Sequence, residues 1–265
     1  MVPITNTAKR RAPRPGDAWA RVRKLMSSAG LLLRSGSVAQ RTCHVIEDKK
    51  LVYMVMYKAA CSSIMASLYA LAPEAHYLRI HHTVGRPENA VLGIGYGEYP
   101  EHYKFTFVRN PLERLVSCYE NKYHADKKLL ASGGMRRLYF DRYLLGYLRR
   151  DDGFRAFARK VAHIPDRLAD RHFVSQSFLT HDWKGRPLLD FVGRFEDLPE
   201  AYEPIRARFD LAPLAHYNVT DKGNWMDYYD LDTARLLIRR YRRDIDRFGY
   251  RAEADRLIAY LEKRG

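Results

Sequence analysis

A chain of 265 residues, 46% of them hydrophobic and 29% charged, has the make-up of an ordinary soluble globular domain and the length to bury one full core. Its formal net charge of +15 asks for an anionic partner, whether nucleotide, acidic polysaccharide, nucleic acid or membrane surface, without choosing among them. Three unclustered cysteines, Cys43, Cys61 and Cys118, argue against a disulfide framework or a zinc site and fit a reducing compartment.

In chain order, residues 1–35 read as a basic, flexible segment. Lys9, Arg10, Arg11 and Arg14 stand among prolines, and a short amphipathic helix over 18–34 follows. Ala29 to Leu33 is too short for a signal-peptide core, and no apolar run reaches membrane-spanning length. Residues 36–265 are expected to form one domain. Residues 43–47 and 51–56 read as successive strands joined by the polar turn Asp48-Lys49-Lys50. Leu51 to Met56 is continuously apolar, as a parallel strand covered on both faces should be. Tyr57 to Ser63 is a turn of small and polar residues, and Ile64 to Leu71 starts a helix that Ser62 or Ser63 can cap. Residues 76–104 are rich in Gly and Pro and predict a long loop carrying His81 and His82.

Tyr103 to Val108 predicts a strand that ends at Arg109. Asn110 then occupies an N-cap, Pro111 the first helical position and Glu113 the third. Leu112, Leu115, Val116, Tyr119 and Tyr123 follow at helical spacing. Residues 125–165 predict a charged helical region whose Tyr139, Tyr143 and Tyr147, with Phe140, Leu144 and Leu148, form a packing face. Residues 188–209 read as a strand and a helix, and helices are expected over 233–250 and 252–263.

The chemistry concentrates in two strand–turn–helix units. The first sets Lys58, small residues and the hydroxyls of Ser62 and Ser63 before a helix. Bare backbone N–H groups, a helix dipole and one ammonium make that a place for a phosphate. An ordinary strand-to-helix connection explains the same residues equally well. The second unit places Arg109 at the carboxyl end of a strand beside a helix start, where open α/β sheets hold ligands. Alternatively Arg109 pairs with Glu113 and only fixes the turn.

Together the two units resemble the paired nucleotide sites of sulfotransferases that use 3′-phosphoadenosine 5′-phosphosulfate. The resemblance is to carbohydrate enzymes of the chondroitin 4-O- and HNK-1 type and, more distantly, the heparan sulfate 2-O enzyme. Lys58, Cys61 and Ser62 match the first loop Pro-Lys-x-Gly-Cys-[Thr/Ser], with Tyr57 for its Pro and Ala60 for its Gly. Val108, Arg109, Asn110, Pro111, Arg114, Leu115, Val116 and Ser117 match the second motif. Asp190, Phe191, Val192, Gly193 and Glu196 fit a third segment, and Tyr241, Asp244, Ile245, Phe248, Gly249 and Tyr250 a fourth.

The resemblance implies an α/β, P-loop-like three-layer fold: a central parallel β-sheet with helices on both faces. It implies that Lys58, Ala60, Cys61, Ser62 and Ser63 hold the 5′-phosphosulfate. Arg109 and Ser117 would hold the 3′-phosphate, and Lys222 would lie near it. The general base would be His81 or His82, and the acceptor would meet His172, Gln176 and Arg194, though Arg194 also suits a pair with Glu196. The donor would leave as 3′-phosphoadenosine 5′-phosphate and no metal would be needed. The partners expected are that nucleotide and a carbohydrate, including an acidic polysaccharide, with no nucleic acid, no transmembrane segment and at most peripheral membrane contact. Lacking the membrane anchor of eukaryotic relatives, the chain is expected to be a cytoplasmic, bacterial version. Two rival readings are a small-molecule kinase, which lacks a Gly-Lys-[Ser/Thr] loop here, and a non-catalytic binder of nucleic acid or other polyanions, which would need no second motif.

Overall fold

The computed structural model describes residues 41–71, 90–92, 94–125, 140, 143–149, 151–214 and 223–264. All belong to one compact unit, Ala39–Gly265.

A five-stranded sheet forms the middle layer: β1 (Thr42–Ile46), β2 (Leu51–Met54), β3 (Ala90–Leu92), β4 (Tyr103–Val108) and β5 (Phe191–Arg194), in the order β3-β1-β2-β4-β5. β2, β4 and β5 run parallel, with Tyr53 opposite Phe105 and Val108 opposite Arg194. β1 is antiparallel to both of its neighbours, so the sheet is mixed where a parallel one was expected. The cause is the connection. Only the short turn Glu47–Lys49 and its cap Lys50 separate β1 from β2, and so short a link can join only antiparallel neighbours. β3 was missed because three residues inside a Gly- and Pro-rich stretch carry no readable alternation.

The apolar run of β2 is buried on both faces by two different sets of helices. Leu51, Tyr53 and Val55, with Phe105 and Phe107, pack against α1 (Cys61–Leu68) and, later in the chain, α5 (Leu198–Arg208). Val52, Met54 and Met56, with Val108, face α2 (Pro111–Tyr119), α3 (Phe154–Ala162), α6 (Leu231–Arg240) and α8 (Arg251–Glu262). Successive side chains of a strand point to opposite faces, so one run of sequence feeds both cores. The short helices α4 (Gln176–Thr180) and α7 (Arg242–Arg247) complete the second face.

Local chemistry fixes the entry to α2 as expected. Pro111 opens the helix and the Asn110 Oδ1 accepts the Leu112 N–H at 3.1 Å. After Tyr119 the helix widens into a π-helical turn, Glu120–Ala125. The expected packing face over 139–148, whose Tyr139 lies outside the described residues, divides: Phe140, Tyr143 and Leu148 are buried, while Leu144 and Leu145 take left-handed φ values and, with Tyr147, are exposed. Gly193 of β5 is required by packing, because a Cβ there would lie 2.4 Å from the Phe107 ring. Among the described residues, no helix is long and apolar enough to cross a membrane.

Candidate functional site

Both motif units end at the carboxyl edge of the parallel strands. After β2 the chain turns through Tyr57–Ala60 into α1. Lys58 (φ 71°) and Ala60 (φ 57°) are both left-handed, a region that costs a side-chain-bearing residue roughly 1–2 kcal/mol. Ala60 thus keeps the backbone shape for which the related motif uses Gly. Its carbonyl accepts the Ile64 N–H at 3.1 Å, and Ala59 N–H bonds the Met56 carbonyl at 3.2 Å. The expected cap by Ser62 or Ser63 is replaced. Ala60 is the N-cap, no side chain caps the helix, and both serines lie buried in its first turn. A helix start served by no capping side chain suits an anion.

Lys58 stands in this turn. Burial holds its ammonium down to about 8, with Lys122 and Arg109 adding repulsion against the pull of Cys118 and Cys61. Burial also pushes the thiols of Cys43 and Cys118 up to about 12 and raises that of Cys61, so all three stay protonated at neutral pH.

Arg109 follows β4 and is buried, at 7% exposure. Its Nη1 donates to the Lys58 carbonyl at 3.3 Å, which ties the two motif units together. Its Nη2 pairs with Glu113, and its guanidinium lies 4.4 Å from the centre of the Phe195 ring. Its Nε is buried without a partner. A buried donor left unmade is costly. Arg109, Glu113 and Ser117 recur at four-residue spacing, so Ser117 shares this helix face one turn further on.

Three buried polar residues hold the Arg109 backbone and the Lys58 turn in place. Arg114 is 1% exposed and donates to the carbonyls of Tyr57 (2.9 Å), Val174 (2.7 Å) and Arg171 (3.0 Å). Gln176 accepts the Arg109 N–H at 2.9 Å and donates to the Arg109 carbonyl at 2.7 Å. Asp244 in turn caps α4, accepting the Gln176 and Ser177 N–H groups at 2.7 and 2.8 Å. A second brace runs from Tyr250 through Glu196 to the Asn110 N–H, at 2.9 and 2.8 Å.

Beside the Lys58 turn lies a buried histidine–carboxylate pair. The His172 Nδ1 sits 2.6 Å from the Asp170 Oδ1, and its ring centre 5.0 Å from that of Tyr57. Burial pushes the imidazole down to about 4 against the pull of Asp170, so it is neutral at pH 7. The Asp170 contact then assigns the proton to Nδ1 and the lone pair to Nε2. Lys122 and Arg171 act on His172 too, and Arg171 lies 4.5 Å over the Tyr57 ring.

Of the residues singled out from sequence, Lys58, Ala60, Cys61, Ser62, Ser63, Arg109 and Ser117 fall on these two adjoining units, with His172 nearby. His81, His82 and Lys222 lie outside the described residues. Two expected acceptor contacts have other work. Gln176 is fully buried and uses both ends of its amide on the Arg109 backbone. Arg194 pairs with Glu253, lies 3.9 Å from Glu196 and stacks 4.4 Å from the Tyr250 ring centre. Its guanidinium is held there because the carboxylates of Glu196, Asp197 and Glu253 and the face of Tyr250 meet around it. Lys122, Asp170 and the bracing role of Arg114 were not read from sequence. The four-residue step from Cys118 to Lys122 was the available signal for the first. Among the described residues, no three His, Cys, Asp or Glu side chains are grouped to hold a metal ion.

A family model described as "Sulfotransferase family" matches residues 41–251. No curated protein and no solved structure matches the chain.

Proposed function

The chain belongs to the sulfotransferase family, and on that premise we propose that it moves the sulfonate of 3′-phosphoadenosine 5′-phosphosulfate to a hydroxyl of a carbohydrate, in the manner of the chondroitin 4-O- and HNK-1-type enzymes. The acceptor oxygen attacks sulfur in line. A new S–O bond forms as the bond from sulfur to the 5′-phosphate oxygen breaks. The electron pair leaves with 3′-phosphoadenosine 5′-phosphate, and the hydroxyl proton passes to a base.

In this reading the first turn of α1, with Cys61, Ser62 and Ser63, holds the 5′-phosphosulfate. Lys58 neutralises the oxygen on which charge collects as the phosphate departs. Arg109 and Ser117 hold the 3′-phosphate, the guanidinium as a fork and the serine as a hydroxyl donor, with Lys222 beside them. Such transfer depends on positioning and charge stabilisation, which these groups supply without a metal. The observation that carries the proposal is the bond from Arg109 to the Lys58 carbonyl. It sets the two units side by side, as a shared nucleotide would need.

The proposed base is His81 or His82. A specific observation favours a second reading: the Asp170 carboxylate orients a neutral His172 imidazole next to the residue preceding Lys58. Single alanine variants of the three histidines separate these readings. The base variant loses rate across pH at unchanged donor affinity, and the other two keep the wild-type rate.

Incubation with donor labelled in its sulfonate and a panel of glycans tests the activity. The proposal expects a labelled product heavier by one sulfonate group, and none with Lys58→Ala. A panel left unlabelled while small non-sugar hydroxyl compounds are sulfated would overturn the carbohydrate assignment.

A further inference from the structure

Trp183 is 87% exposed, the highest among the large hydrophobic side chains described. A tight turn holds it there. The Asp182 N–H bonds the Arg186 carbonyl at 2.9 Å, and the Gly185 N–H bonds the Asp182 carbonyl at 3.0 Å. The Asp182 carboxylate accepts the Lys184 N–H (2.9 Å), the Arg186 N–H (2.8 Å) and the Arg186 Nε–H (2.7 Å). Gly185 has φ +80°, as the turn demands. The one acid of the turn is thus consumed inside it, partly by Arg186, and the Lys184 ammonium lies over the indole.

The surroundings are cationic and aromatic. The Lys184 ammonium lies 4.8 Å from the Trp183 ring centre, and the Arg186 guanidinium 3.7 Å from that of the exposed Tyr96. The Arg247 Nη2 would lie 3.6 Å from a Cβ on Gly185. Each ring carries a cation and stays exposed, Trp183 at 87% and Tyr96 at 56%. A sugar ring presents an apolar C–H face that buries well on an indole, and its sulfate or carboxylate groups pair with flanking cations. A lipid surface would want apolar neighbours beside the tryptophan, whereas the rest of the turn is Asp182, Lys184, Gly185 and Arg186.

We propose that the 182–186 turn, with Tyr96 and Arg247, is a docking surface for an acidic polysaccharide, separate from the groups that act on the donor. Trp183 takes the face of one sugar, and Lys184, Arg186 and Arg247 take its anionic substituents. The choice of glycan over single-stranded nucleic acid rests on the carbohydrate acceptor proposed above.

The test is calorimetry at physiological salt with a heparin-derived oligosaccharide, a dT12 oligonucleotide and vesicles containing phosphatidylserine. None needs donor or turnover, so the surface can fail while sulfonate transfer stands, and the reverse. Trp183→Ala leaves the net charge unchanged, and we expect it to weaken oligosaccharide binding about tenfold, the loss of one stacked ring. Lys184→Ala with Arg247→Ala should weaken it more than the charge-matched pair Arg256→Ala with Lys263→Ala, two exposed cations outside the proposed surface. Affinity for 3′-phosphoadenosine 5′-phosphate should be unchanged throughout. Unchanged oligosaccharide binding by Trp183→Ala overturns the proposal. So does equal weakening by the two charge pairs, or a loss confined to vesicles or to dT12.

Discussion

Ala60 shows how a single residue can depart from a motif and keep its shape. Its φ of 57° is the value a glycine would adopt freely, so the turn survives with strain stored in it. Ala60→Gly should therefore raise stability by up to about 1 kcal/mol, part of the relief being lost to the looser unfolded chain. Urea denaturation reads this directly, and a lowered midpoint would contradict it. Lys58 gives a pH signature. Its ammonium is held down to about 8, so the charged form prevails below that pH and is lost above it. kcat/KM for the donor should fall as pH rises through about 8, and Lys58→Arg, which stays charged, should carry the limb upward. A profile flat to pH 9 would remove the charge role of Lys58. Of the two sequence readings of Arg109, the pair with Glu113 is present, and the same guanidinium also reaches the Lys58 turn, while the grip on a phosphate is the part proposed above.

At the scale of elements, the strand and helix around Asn110 and Pro111 were legible because capping is local chemistry. The braces that aim Arg109 were not, because they join residues far apart in the chain. Gln176 lies 67 positions from Arg109, and Asp244 lies 68 from Gln176. The resemblance marked Gln176 as an acceptor contact without saying that its partner was a backbone. Gln176→Leu should strand the Arg109 N–H and carbonyl and cost about 2–4 kcal/mol, with a raised KM for the donor. Unchanged stability by denaturant unfolding would contradict the brace. Gly193→Ala should cost about 1–3 kcal/mol, because the Phe107 ring must move or β5 must shift. A neutral effect would show that β5 gives way freely. The antiparallel β1 was half legible: the polar turn at 48–50 was read, but its consequence for strand direction was not drawn.

At the scale of the whole molecule, the β2 run, covered on both faces, announced the three layers. The charge of +15 announced an anionic partner without locating it. The structure brings cations to two places that composition could not distinguish: Lys58, Lys122 and Arg109 at the strand ends, and the Trp183 turn. The most direct measurement is calorimetric binding of 3′-phosphoadenosine 5′-phosphate and of adenosine 5′-phosphate to the wild-type chain and to Arg109→Ala. If Arg109 grips the 3′-phosphate, the wild type prefers the doubly phosphorylated nucleotide by roughly tenfold or more, and the variant loses that preference while still binding adenosine 5′-phosphate. A variant that keeps the full preference would contradict the two-ended grip.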